Sequence, residues 1–377
     1  MKKKILLFIL TVLFVQVQAQ YNYSGRYRID GQLAGVVGVR SVYLSYVRNG
    51  TTVVDSALLN NGHFILKGTL AEPVEATLSL SLDSQVLPAN QYDLFLEPVQ
   101  IDFSAKESLA NAIVKGSLIQ DDYLAYNASM APLRRAVMPY HLKYNQAIKL
   151  MNKVDAQKAA DKIDSICLII AQTQKSFVTE HPKSPIALLA LWSYYGLHTV
   201  GPKPFPSFYN LLDTVVQKLS LGIELKQRHL VMIDVAPGTR AKPFILTDLN
   251  NKVIDLNDFK GKYVFVDFWA SWCHNCIDEL PFIKLAYEKY KDNGFSVLMI
   301  SIDDAKDKEK WLAVIKKYNI QSLTNMIDKE KGTKNRVADS YHVVAIPRNF
   351  LIGPDGTIIA NNLFFFQLEN KLDEVFK

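Results

Sequence analysis

The sequence predicts a mixed α/β fold made of three successive regions: an antiparallel β domain, a helical connector domain and a small α/β domain. Alternating apolar and polar residues, broken by Asn-Gly pairs, predict the β domain at 20–116. Long segments rich in Ala, Leu, Lys and Gln predict the helical connector at 117–232. Apolar strands separated by helix-length segments predict the α/β domain at 233–377.

The first nineteen residues have the pattern of a cleaved secretory signal. Lys2, Lys3 and Lys4 precede the apolar run Ile5–Val15, and small residues at positions 17 and 19 suit cleavage after Ala19. The apolar run is about half the ~20 residues that a transmembrane helix needs, so an uncleaved anchor is the alternative. No cysteine stands at the cleavage point, so a lipoprotein anchor is not indicated. The mature chain is expected to be periplasmic and soluble.

Composition excludes some classes of function. Loss of the three leader lysines lowers the formal net charge from +6 to +3, which is too mild to indicate a nucleic-acid partner. Three cysteines in 377 residues cannot form a stabilising disulfide framework. Cys167 lies in an apolar helical stretch and is predicted to be a buried, inert thiol. It cannot by itself complete a zinc site with the other two cysteines, so no metal is expected.

Turn signals organise the first two regions. In the β domain, Asn60-Asn61-Gly62 lies between Val53–Leu59 and His63–Leu66, and this pattern predicts a β-hairpin because positive φ suits Asn and Gly. Two alternating segments of the same domain are further predicted strands, Ser41–Tyr46 and Glu75–Leu82. In the connector, the pattern predicts four helices, Leu118–Leu150, Asp155–Thr179, Ile186–Leu197 and Phe208–Leu219.

The third region alternates between strand and helix. Tyr263–Phe268 and Ser296–Ile302 are apolar strand candidates separated by a helix-length segment, as a βαβ unit requires. The turn sequence Gly353-Pro354-Asp355-Gly356 separates two later strands. The remaining predicted elements are the helix Asp307–Tyr318, the strands Arg348–Ile352 and Thr357–Ala360, and the closing helix Leu368–Phe376.

Two cysteines, Cys273 and Cys276, follow the first apolar strand of this region with two residues between them. At a strand-to-helix turn the first thiol would lie at a helix N-terminus, where free N–H groups and the macrodipole lower its pKa. Because the thiolate attacks disulfides, the spacing predicts a redox-active dithiol. A structural disulfide and half of a zinc site are the alternatives.

Residues 236–377 resemble the thioredoxin superfamily, and within it the TlpA and ResA branch of exported thiol-disulfide oxidoreductases. The matching residues are Phe268-Trp269-Ala270-Ser271-Trp272-Cys273, Pro281, Ile346-Pro347 and Pro354-Asp355-Gly356. The resemblance implies a thioredoxin-like fold, with a central mixed sheet flanked by helices. Residues from Tyr27 to about Ala76 are similar to an uncharacterised β domain that is fused to such modules in Bacteroidetes-type bacteria.

The resemblance also implies roles for the cysteine motif. Cys273 would attack a partner disulfide, and Cys276 would resolve the mixed disulfide. His274, between the thiols, could tune the pKa of Cys273 by stabilising its thiolate, or it could be a solvated side chain without influence. The His274-Asn275 pair departs from the Gly-Pro and Pro-Pro pairs of many relatives, so the redox potential cannot be transferred from the family.

Two carboxylates are candidates for the base that deprotonates Cys276. Asp267 matches the buried aspartate of thioredoxin, and burial should raise its pKa towards a useful range. Glu279 matches a glutamate of the ResA-like branch, and its i, i+3 position places it near Cys276 on a helix. The alternatives are a polar residue at a strand end for Asp267 and a solvated helix face for Glu279.

Three residues are predicted to bind the substrate. Pro347 resembles the cis-proline that faces the cysteines in this superfamily, and its loop with Ile346 would pair with an extended substrate backbone. Trp272 would supply apolar contact beside Cys273. Trp269 is expected to pack in the core.

The predicted activity is that of an exported thiol-disulfide oxidoreductase, a reductase or interchange enzyme that needs no cofactor. Its partners would be protein clients with thiols or disulfides and a membrane-bound electron donor, and the resemblance motivates a role in cytochrome c maturation. A homodimer through the upstream domains would let two active sites face one client. The alternatives are a peroxiredoxin-like antioxidant enzyme and a non-catalytic binding or assembly protein with a thioredoxin-like scaffold.

Overall fold

A computed structural model describes residues 21–48, 50–80, 90–196, 205–328 and 336–377. The predicted leader at 1–19 lies outside these residues. The described chain forms two compact units. The first comprises the chain up to Pro132, Thr173–Leu191 and Asn210–Leu219, and the second comprises Leu133–Gln172, Trp192–Tyr209 and Ser220–Lys377. The three domain boundaries predicted above stay a prediction.

Two four-stranded sheets form the β part of the first unit. Its strands are β1 (Gly25–Ala34), β2 (Ser41–Arg48), β3 (Thr51–Leu58), β4 (His63–Leu70), β5 (Val74–Ser79), β6 (Gln91–Leu96), β7 (Gln100–Lys106) and β8 (Ser108–Lys115). The strand orders are β4-β1-β7-β8 and β3-β2-β5-β6. All pairs are antiparallel, as predicted, except β1 with β7, which is parallel because the chain crosses through the other sheet between them. The apolar faces of both sheets share one core.

The predicted hairpin at Val53–Leu66 is wrong beyond its turn. Asn61 and Gly62 do adopt positive φ, 52° and 78°, but β3 pairs with β2 and β4 pairs with β1. Gly62 lies against β1, where its carbonyl oxygen accepts the Leu33 N–H at 2.6 Å. The turn therefore carries the chain from one sheet to the other, since β3 is hydrogen-bonded in the β3-β2-β5-β6 sheet and β4 in the β4-β1-β7-β8 sheet.

The helices that follow are α1 (Leu118–Lys149), α2 (Lys153–Glu180), α3 (Ile186–Gly196), α4 (Phe205–Tyr209), α5 (Thr214–Gln217) and α6 (Ser220–Asp234). The first three agree with the prediction to within three residues at each end. The predicted helix Phe208–Leu219 is wrong, since α4 ends at Tyr209 and α5 covers only Thr214–Gln217. Asp213 interrupts it, because its side chain accepts the Val215 N–H at 2.8 Å and so starts a new helix.

A five-stranded mixed sheet forms the centre of the α/β part of the second unit. Its strands are β11 (Tyr263–Trp269), β12 (Phe295–Ser301), β13 (Thr324–Ile327), β14 (Arg348–Ile352) and β15 (Ile358–Asn361), and the short strands β9 (Ile245–Thr247) and β10 (Val253–Asp255) pair separately. The order is β13-β12-β11-β14-β15. The β11–β12 and β12–β13 pairs are parallel, and the other two pairs are antiparallel.

Helices cover both faces of this sheet: α7 (His274–Tyr290), α8 (Lys308–Lys317), α9 (Arg336–Ser340) and α10 (Phe366–Val375). Side chains alternate along β11, so Phe265 and Trp269 pack with Leu280 of α7, whereas Val266 and Phe268 pack on the opposite face. This arrangement is the predicted thioredoxin-like fold. Among the described residues, no helix is both long and apolar enough to cross a membrane.

Candidate active site

The two cysteines lie at the turn between β11 and α7. They form a disulfide in this structure, and they are 8 % and 2 % exposed. Cys273 is the N-cap residue of α7, and its Sγ accepts the N–H of Cys276 at 3.2 Å. The first sulfur therefore occupies the end of the helix that stabilises an anion, as the sequence predicted.

A buried aspartate holds the loop that precedes the cysteines. Asp303 accepts the Ser271 backbone N–H at 2.8 Å and the Ser271 hydroxyl at 2.7 Å, and it also accepts the hydroxyl of Ser301 at 2.6 Å. Sequence reasoning missed this residue. A signal was present, because Asp303 follows β12, and the carboxyl ends of parallel neighbouring strands meet at one edge of a sheet.

Asp267 is a buried residue of β11, the strand that leads into the cysteine turn. It is 2 % exposed. It lies on the face of β11 that packs against α7, because it is two residues from both Phe265 and Trp269 and every second residue of a strand shares a face. Burial raises the pKa of its carboxyl to about 8. Its Oδ1 has no hydrogen-bond partner among the described residues. A carboxyl in this position keeps its proton at neutral pH and can exchange it with a neighbour.

Glu279 is buried one helical turn beyond Cys276. It is 3 % exposed, so the solvated helix face that was its alternative is wrong. Burial, followed by the charges of Asp267 and Asp278, raises the pKa of the Glu279 carboxyl to about 9. Glu279 thus lies one turn from the buried Cys276, and its carboxyl interacts electrostatically with that of Asp267.

Two residues next to the cysteines, Trp272 and His274, are exposed to solvent. Trp272 is 59 % exposed beside the buried Cys273. His274 is exposed and is the first residue of α7. Trp269 is fully buried in the core, as expected. The motif thus presents an apolar ring and an imidazole to solvent next to the disulfide.

The Ile346–Pro347 peptide bond is cis, as predicted. Ile346 packs against the hydrophobic clusters on both faces of the sheet. Pro347 lines a cavity of about 1000 Å³ together with Asn275, which lies between the two cysteines. The proline loop and the cysteine motif therefore border the same space.

Helices α1 and α2 close the other side of that cavity. Its lining includes Tyr144 and Ile148 of α1, Ile163 and Cys167 of α2, and Glu279. Cys167 was predicted to be buried, but it is only partly buried and lines the cavity. Burial and the neighbouring Asp164 raise the pKa of its thiol. Sequence reasoning had left the helical region without a role at the site.

Two family models match the chain. The AhpC/TSA family matches residues 237–361, and a domain of unknown function (DUF4369) matches residues 27–123. The fold and the cysteine pair define this protein as a thioredoxin-like thiol-disulfide oxidoreductase. Among the described residues, no group of three or more His, Cys, Asp or Glu side chains is placed to hold a metal ion.

Curated relatives identify the family more closely. Thiol-disulfide oxidoreductase ResA of Bacillus thuringiensis subsp. konkukian is 34% identical over 140 residues, which are 37% of this chain and 76% of that protein. ResA of Bacillus subtilis is 33% identical over 128 residues, which are 33% of this chain and 66% of that protein. Through its C-terminal region, this chain belongs to the ResA family of thiol-disulfide oxidoreductases.

Solved structures of similar proteins cover the same region. The thioredoxin domain of a thiol-disulfide oxidoreductase from Bacteroides vulgatus is 32% identical, with a TM-score of 0.35, and the match covers 38% of this chain and 99% of that one. A putative thiol:disulfide interchange protein DsbE from Chlorobium tepidum is 26% identical, with a TM-score of 0.34, and the match covers 38% of this chain and 99% of that one.

Proposed function

We propose that this protein is an exported, periplasmic enzyme that exchanges disulfides with protein clients, as a reductase or interchange enzyme. The observation that carries the proposal is the Cys273–Cys276 disulfide at the start of α7, with the Cys276 N–H donating to Cys273 Sγ. This arrangement favours a thiolate on Cys273 once the pair is reduced. Membership of the ResA family supports the same chemistry.

The exchange proceeds in two successive thiol-disulfide exchange steps. The Cys273 thiolate attacks one sulfur of a client disulfide, which forms a mixed disulfide and releases the other client sulfur as a thiolate. The Cys276 thiolate then attacks Cys273 Sγ, which restores the enzyme disulfide and releases the second client thiolate. Two electrons pass from the enzyme to the client, so a donor of two electrons must reduce the enzyme again. A membrane-bound dithiol protein is the donor that we propose.

Asp267 and Glu279 serve the second step in this proposal. Cys276 is buried and must lose a proton before it attacks. The pKa values of the two carboxyls, about 8 and about 9, lie close to the value of about 8.5 for an ordinary thiol, so proton transfer between them costs little. His274 would tune the thiolate of Cys273, while Trp272, Ile346 and Pro347 would contact the client.

Trapping of the intermediate tests the proposed function. We expect the reduced protein to reduce insulin disulfides and the Cys273→Ser variant to lose this activity. The Cys276→Ser variant should instead accumulate a mixed disulfide with the client, visible by mass before and after dithiothreitol. Cys167→Ser is the matched control, since it removes the remaining thiol of the chain. Full activity in Cys273→Ser would refute the proposal and favour a binding or assembly protein.

The redox potential then separates the directions of electron flow. In a glutathione titration, a midpoint near or below about −230 mV would identify a reductase, whereas one above about −180 mV would favour an oxidant or isomerase. Consumption of hydrogen peroxide through Cys273 without disulfide exchange would identify the peroxiredoxin-like alternative. An isomerase role would also require the homodimer, which sedimentation of the full chain can detect.

Export is tested on the mature protein. The basic and apolar pattern of 1–19 supports cleavage after Ala19, which would leave Gln20 at the N-terminus. We expect the protein in the periplasmic fraction, with a mass that corresponds to 20–377. A full-length mass in the membrane fraction would instead show an uncleaved anchor.

A further inference from the structure

The cavity beside the cysteine motif has walls from two different parts of the chain. One wall consists of residues of the thioredoxin-like region, including Asn275, Glu279 and Pro347. The opposite wall comes from α1 and α2 and includes Tyr144 and Ile163. Its volume of about 1000 Å³ is at the upper end of the range for ligand clefts.

Ion pairs and hydrogen bonds attach the start of α2 to α10. Lys153 Nζ lies 3.0 Å from a Glu369 carboxylate oxygen and 3.1 Å from one of Asp373. One turn further along α2, Asn370 donates a hydrogen bond of 2.8 Å to Gln157. The wall formed by α2 is therefore held against the thioredoxin-like region at its N-terminal end.

An apolar cluster attaches α1 and α2 to the same region. Ala147, Ile148 and Ala156 are buried with Phe282 of α7, which lies one turn beyond Glu279. Tyr144, Phe365 and Phe366 pack against this cluster. These contacts place Tyr144 of α1 beside the part of α7 that carries Glu279.

Two polar groups line the cavity: the hydroxyl of Tyr144, a partly buried residue, and the carboxyl of Glu279, a buried one. Burial, followed by the charges of Glu279 and Asp164, raises the pKa of Tyr144 to about 12. With the raised pKa of Glu279, both groups are mainly neutral at pH 7, and each can donate and accept a hydrogen bond. A guest with polar groups that pair with both is favoured, because a hydrogen bond formed in a partly buried site is stronger than one formed in water.

We propose that α1 and α2 form the outer wall of a cleft that binds the polypeptide segment next to the client's disulfide, with Tyr144 and Glu279 hydrogen-bonding its backbone amides. A peptide amide can pair with both groups, since its N–H donates a hydrogen bond and its C=O accepts one. Apolar side chains around these groups, including Ile148, Ile163 and Phe282, suit uncharged residues of that segment. This inference rests on the proposed function and names its substrate class as polypeptide disulfides.

Two matched substrates test the cleft. The first is an uncharged twelve-residue peptide with one cysteine linked to glutathione, and the second is glutathione disulfide, which lacks the peptide segment. In Ile163→Trp a larger side chain fills the cavity, so the ratio of kcat/KM for the peptide to kcat/KM for glutathione disulfide should fall at least about tenfold, equivalent to ~1.4 kcal/mol. In Tyr144→Phe the same ratio should fall about fivefold through a higher KM for the peptide, as expected for one lost hydrogen bond.

Leu168→Trp is the matched control for the cavity variant. Leu168 lies on α2 and is 64% exposed, outside the cavity lining, so the ratio should stay within twofold of the wild-type value. Ratios within twofold of wild type in both Ile163→Trp and Tyr144→Phe would overturn the inference, as would an equal fall in Leu168→Trp. If Ile163→Trp does not fold, the Tyr144→Phe ratio decides. Failure of the wild-type protein to reduce either substrate would instead refute the proposed function.

Discussion

Asp267 raises the pKa of Glu279, so the two buried carboxyls of the site are electrostatically coupled. The coupling follows from the fold, because Asp267 lies on the face of β11 that packs against α7, and Glu279 is one turn beyond Cys276 on that helix. The two residues stand twelve positions apart in the sequence, on the consecutive elements β11 and α7. Both carboxyls hold protons at neutral pH, and Glu279 lies one turn from Cys276, the less exposed cysteine.

The first prediction concerns stability against pH. Asp267 has a pKa of about 8 when folded and about 3.9 when unfolded, so between these values the folded state binds more protons. The free energy of unfolding contributed by this group therefore falls as pH rises from about 4 to about 8, by at most ~1.4 kcal/mol per pH unit. Asp267→Asn removes this slope, so its stability relative to wild type should be higher at pH 8 than at pH 5.

Urea unfolding of the oxidised protein at both pH values measures this difference. Asp292→Asn is the matched control, since Asp292 is exposed. The same stability difference between Asp267→Asn and wild type at pH 5 and pH 8 would contradict the assigned pKa shift.

The second prediction concerns the resolving step. Glu279→Gln removes a carboxyl whose minor ionised fraction at pH 7 can accept the Cys276 proton, so the release of client thiol from a preformed Cys273 mixed disulfide should slow about tenfold at pH 7. The defect should shrink above about pH 9, where the thiol ionises without help. Rapid-mixing kinetics across pH would measure it. Glu288→Gln makes the same change at an exposed position of α7, and an equal loss of rate there would argue against a role for Glu279.

The third prediction concerns the attachment of α2. Lys153→Ala removes the ion pairs with Glu369 and Asp373, so hydrogen exchange in the first turns of α2 should accelerate, with a loss of about 1 kcal/mol in local stability. Exchange followed by mass spectrometry on peptides from 153–165 measures this. Lys158→Ala is the control, because Lys158 pairs with Asp155 of its own helix and is 73% exposed. Equal protection of the two variants would show that the Lys153 ion pairs do not hold the helix.

The fourth prediction concerns the turn that connects the two sheets of the first unit. A Cβ at Gly62 would lie 2.2 Å from the Leu33 carbonyl oxygen, and its φ of +78° is unfavourable for other residues. Gly50 has a similar φ, +73°, but nothing lies within 4 Å of its added Cβ. Gly62→Ala should therefore destabilise the protein by about 1–3 kcal/mol more than Gly50→Ala, measured by urea unfolding. Equal losses would mean that the contact with Leu33 does not constrain the turn.

Local pattern predicted most of the secondary structure. The strands β11 and β14 and the helices α1, α2 and α3 appear close to their predicted bounds, because continuous apolar runs and helical periodicity are properties of neighbouring residues. The turn at Asn61-Gly62 was also predicted. The switch of the chain from one sheet to the other at this turn was not predicted. Strand pairing, here β3 with β2 and β4 with β1, depends on residues that are far apart in the chain.

The sequence alone determined the cysteine spacing, the helix start that follows it and the chemistry that these favour, since all depend on short stretches of chain. The tertiary structure decided which distant groups surround the pair. It buried Glu279, brought Asp303 to the cysteine loop and placed Tyr144 and Ile163 of the helical region across the cavity from Pro347. These relations arise from burial and packing between separate elements, which no local pattern encodes.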